Sequence, residues 1–438
     1  MNKLKTYTFY QIYVRNYTKE GTFKALINKL DYIKSIGVKV IQLLPINEIG
    51  KLGRKGTLGS PYAIKDYYKI NPELGTLDDF KDLIKEIHNR DMLVIMDVVF
   101  NHTSRDNNLL KEHPEFYYHD ENGDFANHFG DWSDVYDLNY TNNLPLINYV
   151  TNVLEYYLNL GIDGYRFDVA SFLTNEFYKY AFPKLRKINK NIILLAEAVE
   201  PEFANYVRGK GGNCCSDSEL FKDGFDLLYR YSNYYLLRDF LLKKGDINLD
   251  FYKKSFLYEN ISLPTNALKI GTLENHDIAR IASFTNYDPL RMNLNAFIFF
   301  IKGSGFIYGG QETKEYKLPN LFEKDLISTN VVDLNYFNFI KKLVELKKDP
   351  INEELIQSDC LDVHEKVLAF KNIYKNQQPI IGLFNLTENP ITINSNLLED
   401  GNYINLLNNE KIIIRNHTIK FNYPLYLDKL DWSFVFFI

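Results

Sequence analysis

Four acidic residues end apolar, strand-like segments of this chain, and they are candidates for a shared reactive pocket. They are Asp97 at the end of LVIMD, Asp168 at the end of GYRFD, Glu197 at the end of IILLAE, and Asp277 shortly after IGTLENH. A buried carboxylate is costly unless something uses it. Carboxylates that meet in one pocket would be suited to acid–base or nucleophilic chemistry.

Basic and imidazole side chains accompany three of these acids. Arg166 lies two residues before Asp168, so both side chains would share one face of a strand. His102 and His276 each lie within five residues of another of the acids. An acid after a strand is often only a turn or helix cap. Caps do not need an arginine on the same strand face, so the pattern favours function.

Carboxylates are the reagents that the sequence offers. It contains no serine or cysteine nucleophile elbow, no HExxH and no redox CxxC. Paired carboxylates suit glycoside hydrolysis, in which one acts as nucleophile or base and the other as acid. Beside Arg166, Asp168 is expected to stay ionised and to be the better nucleophile. Glu197 has no cation beside it in the sequence, so a raised pKa would suit it as the general acid.

Alternating strand-like and helix-like segments predict how these residues are positioned. About eight strand–helix units occupy the first 350 or so residues. This order predicts a parallel (β/α)8 TIM barrel, whose active site lies at the carboxyl ends of the strands. The four acids follow different strands and therefore converge only if the barrel forms. A doubly wound open sheet is the competing architecture, but no Gly-rich phosphate loop follows any strand.

Two segments depart from the alternation and predict further domains. Residues 103–135 are polar, aromatic and non-periodic, and indicate a small inserted domain after the third strand. After about residue 350, short alternating runs separated by turns predict a C-terminal all-β sandwich over residues 351–438. The catalytic barrel is then formed by residues 1–102 and 136–350.

The composition excludes several classes of partner. The 438 residues carry a net charge of −5, which gives no reason to expect nucleic acid or an anionic membrane. No apolar run approaches the roughly 18 residues of a membrane span. The first residues contain no apolar signal-peptide core, so a cytoplasmic protein is expected. The three cysteines form neither a disulfide framework nor a metal cluster.

Four motifs, taken in order, resemble the conserved regions of the α-amylase family of retaining glycosidases. They are DVVFNH (97–102), GYRFDVA (164–170), LLAEAVE (194–200) and TLENHD (272–277). Three further segments resemble other parts of the same family: SPYAIKDYYKINPELGT (60–76), VYDLNY (135–140) and FIYGGQE (306–312). The resemblance therefore covers essentially the whole chain.

The resemblance implies roles for individual residues. Asp168 would be the nucleophile that forms a covalent β-glycosyl intermediate, Glu197 the general acid/base, and Asp277 the third acid, which grips the sugar. The substrate-binding residues that it implies are Tyr62, Asp97, His102, Arg166, His276 and Arg280. Within this set Tyr62 would stack on the sugar ring, and Asp97 would support the site rather than react. An α-glucoside substrate and net retention are implied as well.

The resemblance leaves calcium open and implies no other cofactor. Many calcium-dependent members carry a Lys-His pair shortly after the nucleophile, where this chain reads DVASFL (168–173). Asn101 and Asp137 nevertheless fall where other ligands commonly lie. A calcium site formed by these two residues is thus an optional feature of the prediction, and a cofactor-independent enzyme is the main expectation.

The predicted function is hydrolysis of α-1,4-glucosidic bonds in maltooligosaccharides, starch or glycogen fragments. A transglycosylase or an exo-acting α-glucosidase would use the same acids and differ in how water and acceptor reach the intermediate. A non-catalytic sugar-binding barrel would generally lack one or more of the three acids. All three are present, so this last alternative ranks below the others.

Overall fold

Eight parallel strands form one sheet that closes on itself. The computed structural model describes residues 2–129, 132–243 and 248–430. The barrel strands are β1 (Thr8–Ile12), β2 (Val40–Leu43), β3 (Leu93–Val98), β4 (Gly164–Phe167), β5 (Ile193–Ala196), β6 (Leu227–Tyr229), β7 (Lys269–Ile270) and β8 (Gly305–Tyr308). β1 pairs with both β2 and β8, and a parallel bridge from Ile270 to Ser304 joins β7 to the start of β8. The predicted barrel is confirmed, and the open doubly wound sheet is excluded.

Helices follow the strands and cover the outside of the barrel. In chain order they are α1 (Val14–Tyr17), α2 (Phe23–Ile27), α3 (Leu30–Ile36), α4 (Leu77–His88), α5 (Leu109–Glu112), α6 (Leu144–Asn159), α7 (Asn175–Ile188), α8 (Pro201–Gly209), α9 (Asp217–Asp223), α10 (Tyr231–Leu241), α11 (Leu249–Ser262), α12 (Ile281–Phe284), α13 (Asp288–Phe300) and α14 (Leu334–Lys348). Local sequence fixes where several begin. Thr76 and Asp79 form a capping box at α4, which satisfies backbone N–H groups that lack an intrahelical partner.

Two apolar layers stabilise the barrel. Phe9, Ile95, Leu195 and Phe306 belong to an inner layer that fills the space between the strands. A larger outer layer packs the other faces of the strands against the helices. Each strand is therefore buried on both faces, which is why β5 reads as an unbroken apolar run. This packed interior leaves the carboxyl ends of the strands as the place for a site.

A short antiparallel pair closes the inserted segment next to β3. His102–Ser104 pairs with Val135–Asp137 at the two ends of the insertion. A second short pair, Asn47–Ile49 with Ile64–Ile70, brackets the loop that follows β2. Both loops therefore leave and return at the carboxyl end of the barrel.

The C-terminal part is all-β, as predicted. Its strands are β9 (Leu355–Leu361), β10 (Val367–Tyr374), β11 (Ile380–Asn385), β12 (Ile391–Asn394), β13 (Gly401–Asn405), β14 (Glu410–Ile414), β15 (Thr418–Phe421) and β16 (Leu425–Lys429). Six of them form an antiparallel sheet in the order β9-β10-β11-β16-β13-β14, and β12 pairs with β15. The last part of the predicted sandwich, residues 431–438 with the apolar run WSFVFFI, lies outside the described residues. Among the described helices, none has the length and apolar character needed to cross a membrane.

Candidate active site

The carboxyl ends of the barrel strands bring three of the predicted acids to one cleft. Asp168, Glu197 and Asp277 line a cavity of about 270 Å³ together with Tyr62 and His102. The fourth acid, Asp97 on β3, is fully buried beneath them. A larger cavity of about 510 Å³ lies between α8, α9, α10 and α11, but none of the predicted site residues lines it. The smaller cleft is therefore the candidate active site.

Arg166 ties the buried carboxylates together. Its Nη1 donates to Asp97 Oδ1 and to Asp168 Oδ1, each at 2.8 Å. Its Nη2 lies 2.7 Å from Glu197 Oε1. Strand register explains the first contact, because Asp97 of β3 pairs directly with Arg166 of β4. One fully buried guanidinium thus serves three acids, and the cluster is net negative when all three are ionised.

This geometry corrects the electrostatic expectation from sequence. No cation lies beside Glu197 in the sequence, but Arg166 reaches it from the adjacent strand β4. Burial nevertheless outweighs Arg166 and raises the pKa of Glu197 to about 7. Burial also raises the pKa of Asp168 to about 6, so its pKa is not held down by Arg166 as expected. Burial thus raises the pKa of both carboxyls above its usual range.

Asp277, His276 and Tyr62 form a second group beside this cluster. His276 Nε2 lies 2.9 Å from Asp277 Oδ2 and 2.6 Å from the Tyr62 hydroxyl oxygen. The Tyr62 hydroxyl donates to Asp97 Oδ2 at 2.9 Å, which connects the two groups. Burial opposes ionisation of Asp277, but His276 outweighs it and lowers the pKa of that carboxyl. The Asp277 side chain is 51% exposed, so this carboxylate opens directly to the cleft.

Val169 occupies a strained backbone conformation between the two acids that follow β4 and β5. Its φ of 37° and ψ of 47° place a β-branched residue in the left-handed region, which costs free energy and is concentrated at functional sites. Its N–H donates to Glu197 Oε2 at 2.8 Å. Sequence reasoning missed this residue, and the signal available was its position directly after Asp168.

Two other predicted substrate-binding residues have different surroundings. His102 lines the cleft, with its ring centroid 5.4 Å from that of Trp132. Arg280 does not line the cleft. It is fully buried, pairs with Glu274 at 2.7 Å and donates to the Gly309 carbonyl at 2.8 Å. The expected contact between Arg280 and the sugar is therefore not supported, and Arg280 joins the segment after β7 to the segment after β8.

Asn101 and Asp137, the two residues of the optional calcium site, lie next to each other. Asn101 Nδ2 points toward Asp137 Oδ1 at 3.4 Å, and the His128 backbone N–H donates to Asp137 Oδ2 at 2.7 Å. Two residues alone do not supply the six to eight oxygen ligands that calcium requires. Within the described ranges there is no group of three or more His, Cys, Asp or Glu that could hold a metal.

Replacing Arg166 by methionine is expected to lower the free energy of unfolding by about 3–5 kcal/mol at pH 7, because buried carboxylates lose their shared cation. The measurement is urea unfolding at pH 7 and pH 5. The loss should be smaller at pH 5, where more of the acids with raised pKa values are protonated. Arg238→Met, which removes a partly exposed pair with Asp239, should cost under about 1 kcal/mol. Equal losses for the two variants would contradict the role given to Arg166.

Comparison with known proteins identifies the family. The protein-family model described as "Alpha amylase, catalytic domain" matches residues 11–126 and 113–351. The chain belongs to the α-amylase family. The model described as "Bacterial Alpha amylase C-terminal domain" matches residues 362–424, within the all-β part.

Solved structures of α-amylase family members resemble this chain over nearly its whole length. An α-amylase from Lactobacillus plantarum is 33% identical with a TM-score of 0.89, covering 98% of this chain and 99% of that one. A maltogenic α-amylase from Thermotoga neapolitana is 29% identical with a TM-score of 0.85, covering 99% of this chain and 100% of that one.

Curated relatives are longer than this chain. α-Amylase 2 of Dictyoglomus thermophilum is 26% identical over 399 residues, which are 84% of this chain and 66% of that protein. The chain spans 39% to 66% of the length of the first four curated relatives that it matches.

Proposed function

We propose that this protein is a retaining α-glucan hydrolase that cleaves α-1,4-glucosidic bonds of maltooligosaccharides and of starch or glycogen fragments. The observation that carries the proposal is the convergence of Asp168 and Glu197 on Arg166 at one cleft, with the Asp277 carboxylate open to the same space. Two buried acids that face one cavity are the parts that glycoside hydrolysis needs. Membership of the α-amylase family supports the choice of an α-glucan as substrate.

In the first step Asp168 attacks the anomeric carbon while Glu197 protonates the oxygen of the departing sugar. The glycosidic bond breaks, and an ester forms between the sugar and the Asp168 carboxylate. In the second step Glu197 takes a proton from water, which attacks the same carbon and releases Asp168. Two inversions leave the product in the α-configuration. Arg166 contacts both reacting carboxylates and limits the repulsion between them.

The remaining cleft residues would position the sugar. Asp277 is ionised and exposed, so it would accept hydrogen bonds from sugar hydroxyls. His102 is buried and its pKa is lowered, so it would bind as a neutral ring. The Tyr62 ring stacks on His276 with centroids 5.4 Å apart, which fixes its orientation beside the reacting acids. Polar groups held in this way reduce the entropy lost on reaching the transition state.

The pH dependence of kcat/KM is expected to be a bell between the pKa values of the two acids. Activity should rise as pH rises through about 6, where Asp168 ionises, and fall as pH rises through about 7, where Glu197 loses its proton. Because the two carboxyls titrate as a coupled pair, the apparent pKa read from each side of the profile belongs to both acids. Initial rates on maltoheptaose across this range give the profile. A maximum above about pH 8 would contradict this assignment of acid and nucleophile.

The proposal is tested by a time course of maltoheptaose digestion, with products separated by length and their first-formed anomer read by NMR. Short maltooligosaccharides that appear as α-anomers are the expected result. Products that appear first as β-anomers would exclude the retaining mechanism, and products longer than the substrate would favour a transglycosylase. Untouched maltoheptaose, with calcium absent or added, would overturn the proposed substrate.

A further inference from the structure

The loop after β2, residues 50–60, is attached to the segment after β8. The Thr57 backbone N–H donates to Glu323 Oε1 at 2.8 Å, and its hydroxyl donates to Glu323 Oε2. The Leu58 N–H donates to the Phe322 carbonyl at 3.0 Å. These bonds link two loops that lie far apart in the chain but follow strands on either side of β1. We refer to residues 50–60 as the β2 loop.

Close packing at Gly56 and a buried arginine show that the two loops are held together. A Cβ added to Gly56 would lie 2.7 Å from Phe322 Cβ, and the φ of Gly56 is +64°, so a larger residue would disrupt the contact. Arg15, which is 2% exposed, donates from Nη1 to the carbonyls of Gly59 and Leu321, each at 3.0 Å. The buried Arg15 guanidinium therefore binds both loops at the same time.

The β2 loop is also attached to the inserted segment on its other side. Lys55 Nζ lies 3.1 Å from Asp134 Oδ1, and the Asp134 side chain is 5% exposed. The Lys51 N–H donates to Asp106 Oδ2 at 2.9 Å. Next to Asp134 the insertion carries Trp132, which packs on the ring of His102. The loop thus runs from the β8 side of the cleft to the insertion.

The β2 loop and residues 321–323 together form a wall of the cleft. The order of the barrel strands places this wall on the side of the cleft away from Glu197. Lys55, Leu321 and Phe322 line the same cavity as the catalytic acids. The β2 loop and residues 321–323 follow β2 and β8, the two strands that flank β1, and β1 lies four strands from β5 in the closed sheet. Because Glu197 follows β5 and must face the bond oxygen that it protonates, the leaving sugar departs on its side. The wall therefore faces the opposite, glycone side.

We propose that the β2 loop and Phe322 close the glycone side, so that the enzyme acts near the non-reducing end of an α-glucan chain. This inference rests on the proposed function. The cavity of about 270 Å³ falls below the roughly 300–1,000 Å³ of pockets for drug-sized ligands. A cleft of this size holds only a short stretch of an α-glucan chain. A chain that continues past this stretch would meet Phe322 and the Lys55–Asp134 pair.

The test compares kcat/KM for maltoheptaose and for maltoheptaose whose non-reducing end carries a 4,6-O-ethylidene group. The wild type should be about 100-fold less active on the blocked substrate, since a clash discriminates more strongly than a lost contact. Glu323→Ala and Phe322→Ala each remove a side chain that holds or forms the wall. Each should reduce the ratio of kcat/KM on unblocked to blocked maltoheptaose to about 10-fold or less. Lys51→Met, an exposed residue of the same loop, is the matched control and should keep the wild-type ratio. Activity on unblocked substrate reports folding of each variant.

The outcomes separate the two proposals. Equal activity of the wild type on both substrates would overturn the closed glycone side and leave the proposed function standing. A large ratio that neither Glu323→Ala nor Phe322→Ala changes, in variants that remain active, would overturn the role of the β2 loop. If the wild type cleaves neither substrate, the proposed function fails and this inference fails with it.

Discussion

Asp168→Asn is expected to lower kcat on maltoheptaose by about 10⁵-fold, because an amide cannot form the covalent intermediate. The substitution is nearly isosteric and keeps an oxygen facing Arg166, which donates to this position at 2.8 Å. The measurement is kcat for purified wild type and variant over long incubations. A residual rate within about 100-fold of wild type would exclude Asp168 as the nucleophile.

The same variant carries its own control for folding. The folded-state pKa of Asp168 is raised to about 6, so its ionised form opposes folding at pH above that value. This cost is relieved as pH falls toward the unfolded-state pKa, and the asparagine removes it at all pH values. The thermal midpoint of Asp168→Asn at pH 8 should therefore equal or exceed that of wild type. A large fall in the midpoint would indicate that the lost activity reflects lost structure.

Glu197→Gln is expected to lower kcat on maltoheptaose by about 10²–10⁴-fold, because the leaving oxygen no longer receives a proton. The loss should depend on the leaving group. Fluoride departs without protonation, so the variant should release about one equivalent of fluoride from α-maltosyl fluoride in a rapid burst. Slow turnover follows, since Glu197 also acts as base in the second step. The measurement is fluoride release with an ion-selective electrode.

The two variants together distinguish acid from nucleophile. Asp168→Asn should give no burst with α-maltosyl fluoride, because no covalent intermediate can form. Azide, which needs no general base, should speed turnover of Glu197→Gln and leave Asp168→Asn unchanged. A burst in both variants, or in neither, would contradict the roles assigned to these two carboxylates.

The alternation of strands and helices was enough to predict the barrel, and the strand-end positions of the acids then predicted their convergence. Asp168 and Glu197 follow different strands, and parallel strands must present their carboxyl ends at one edge of the barrel. Arg166 could be predicted as the partner of Asp168, since residues two apart share a strand face. Its contact with Glu197 could not, because that contact depends on how β4 and β5 are registered in the closed sheet.

The parts that sequence reasoning missed depend on non-local packing. The left-handed conformation of Val169 goes against the preference of a β-branched residue, so no local propensity predicts it. Arg280 lies three residues after an expected catalytic acid, yet Glu274 holds it in the interior. The contact between Thr57 and Glu323 joins residues 266 positions apart. Each of these features follows from the tertiary structure rather than from a sequence pattern.

The covalent intermediate on Asp168 is the central claim, and trapping it is its most direct test. The wild type would be incubated with 5-fluoro-α-D-glucosyl fluoride, digested and examined by peptide mass spectrometry. The account predicts one 5-fluoroglucosyl group, found on the peptide that contains Asp168 and assigned to that residue by fragmentation. A label on Glu197 or on another residue, or an unlabelled Asp168 peptide in an enzyme that hydrolyses maltoheptaose, would contradict it.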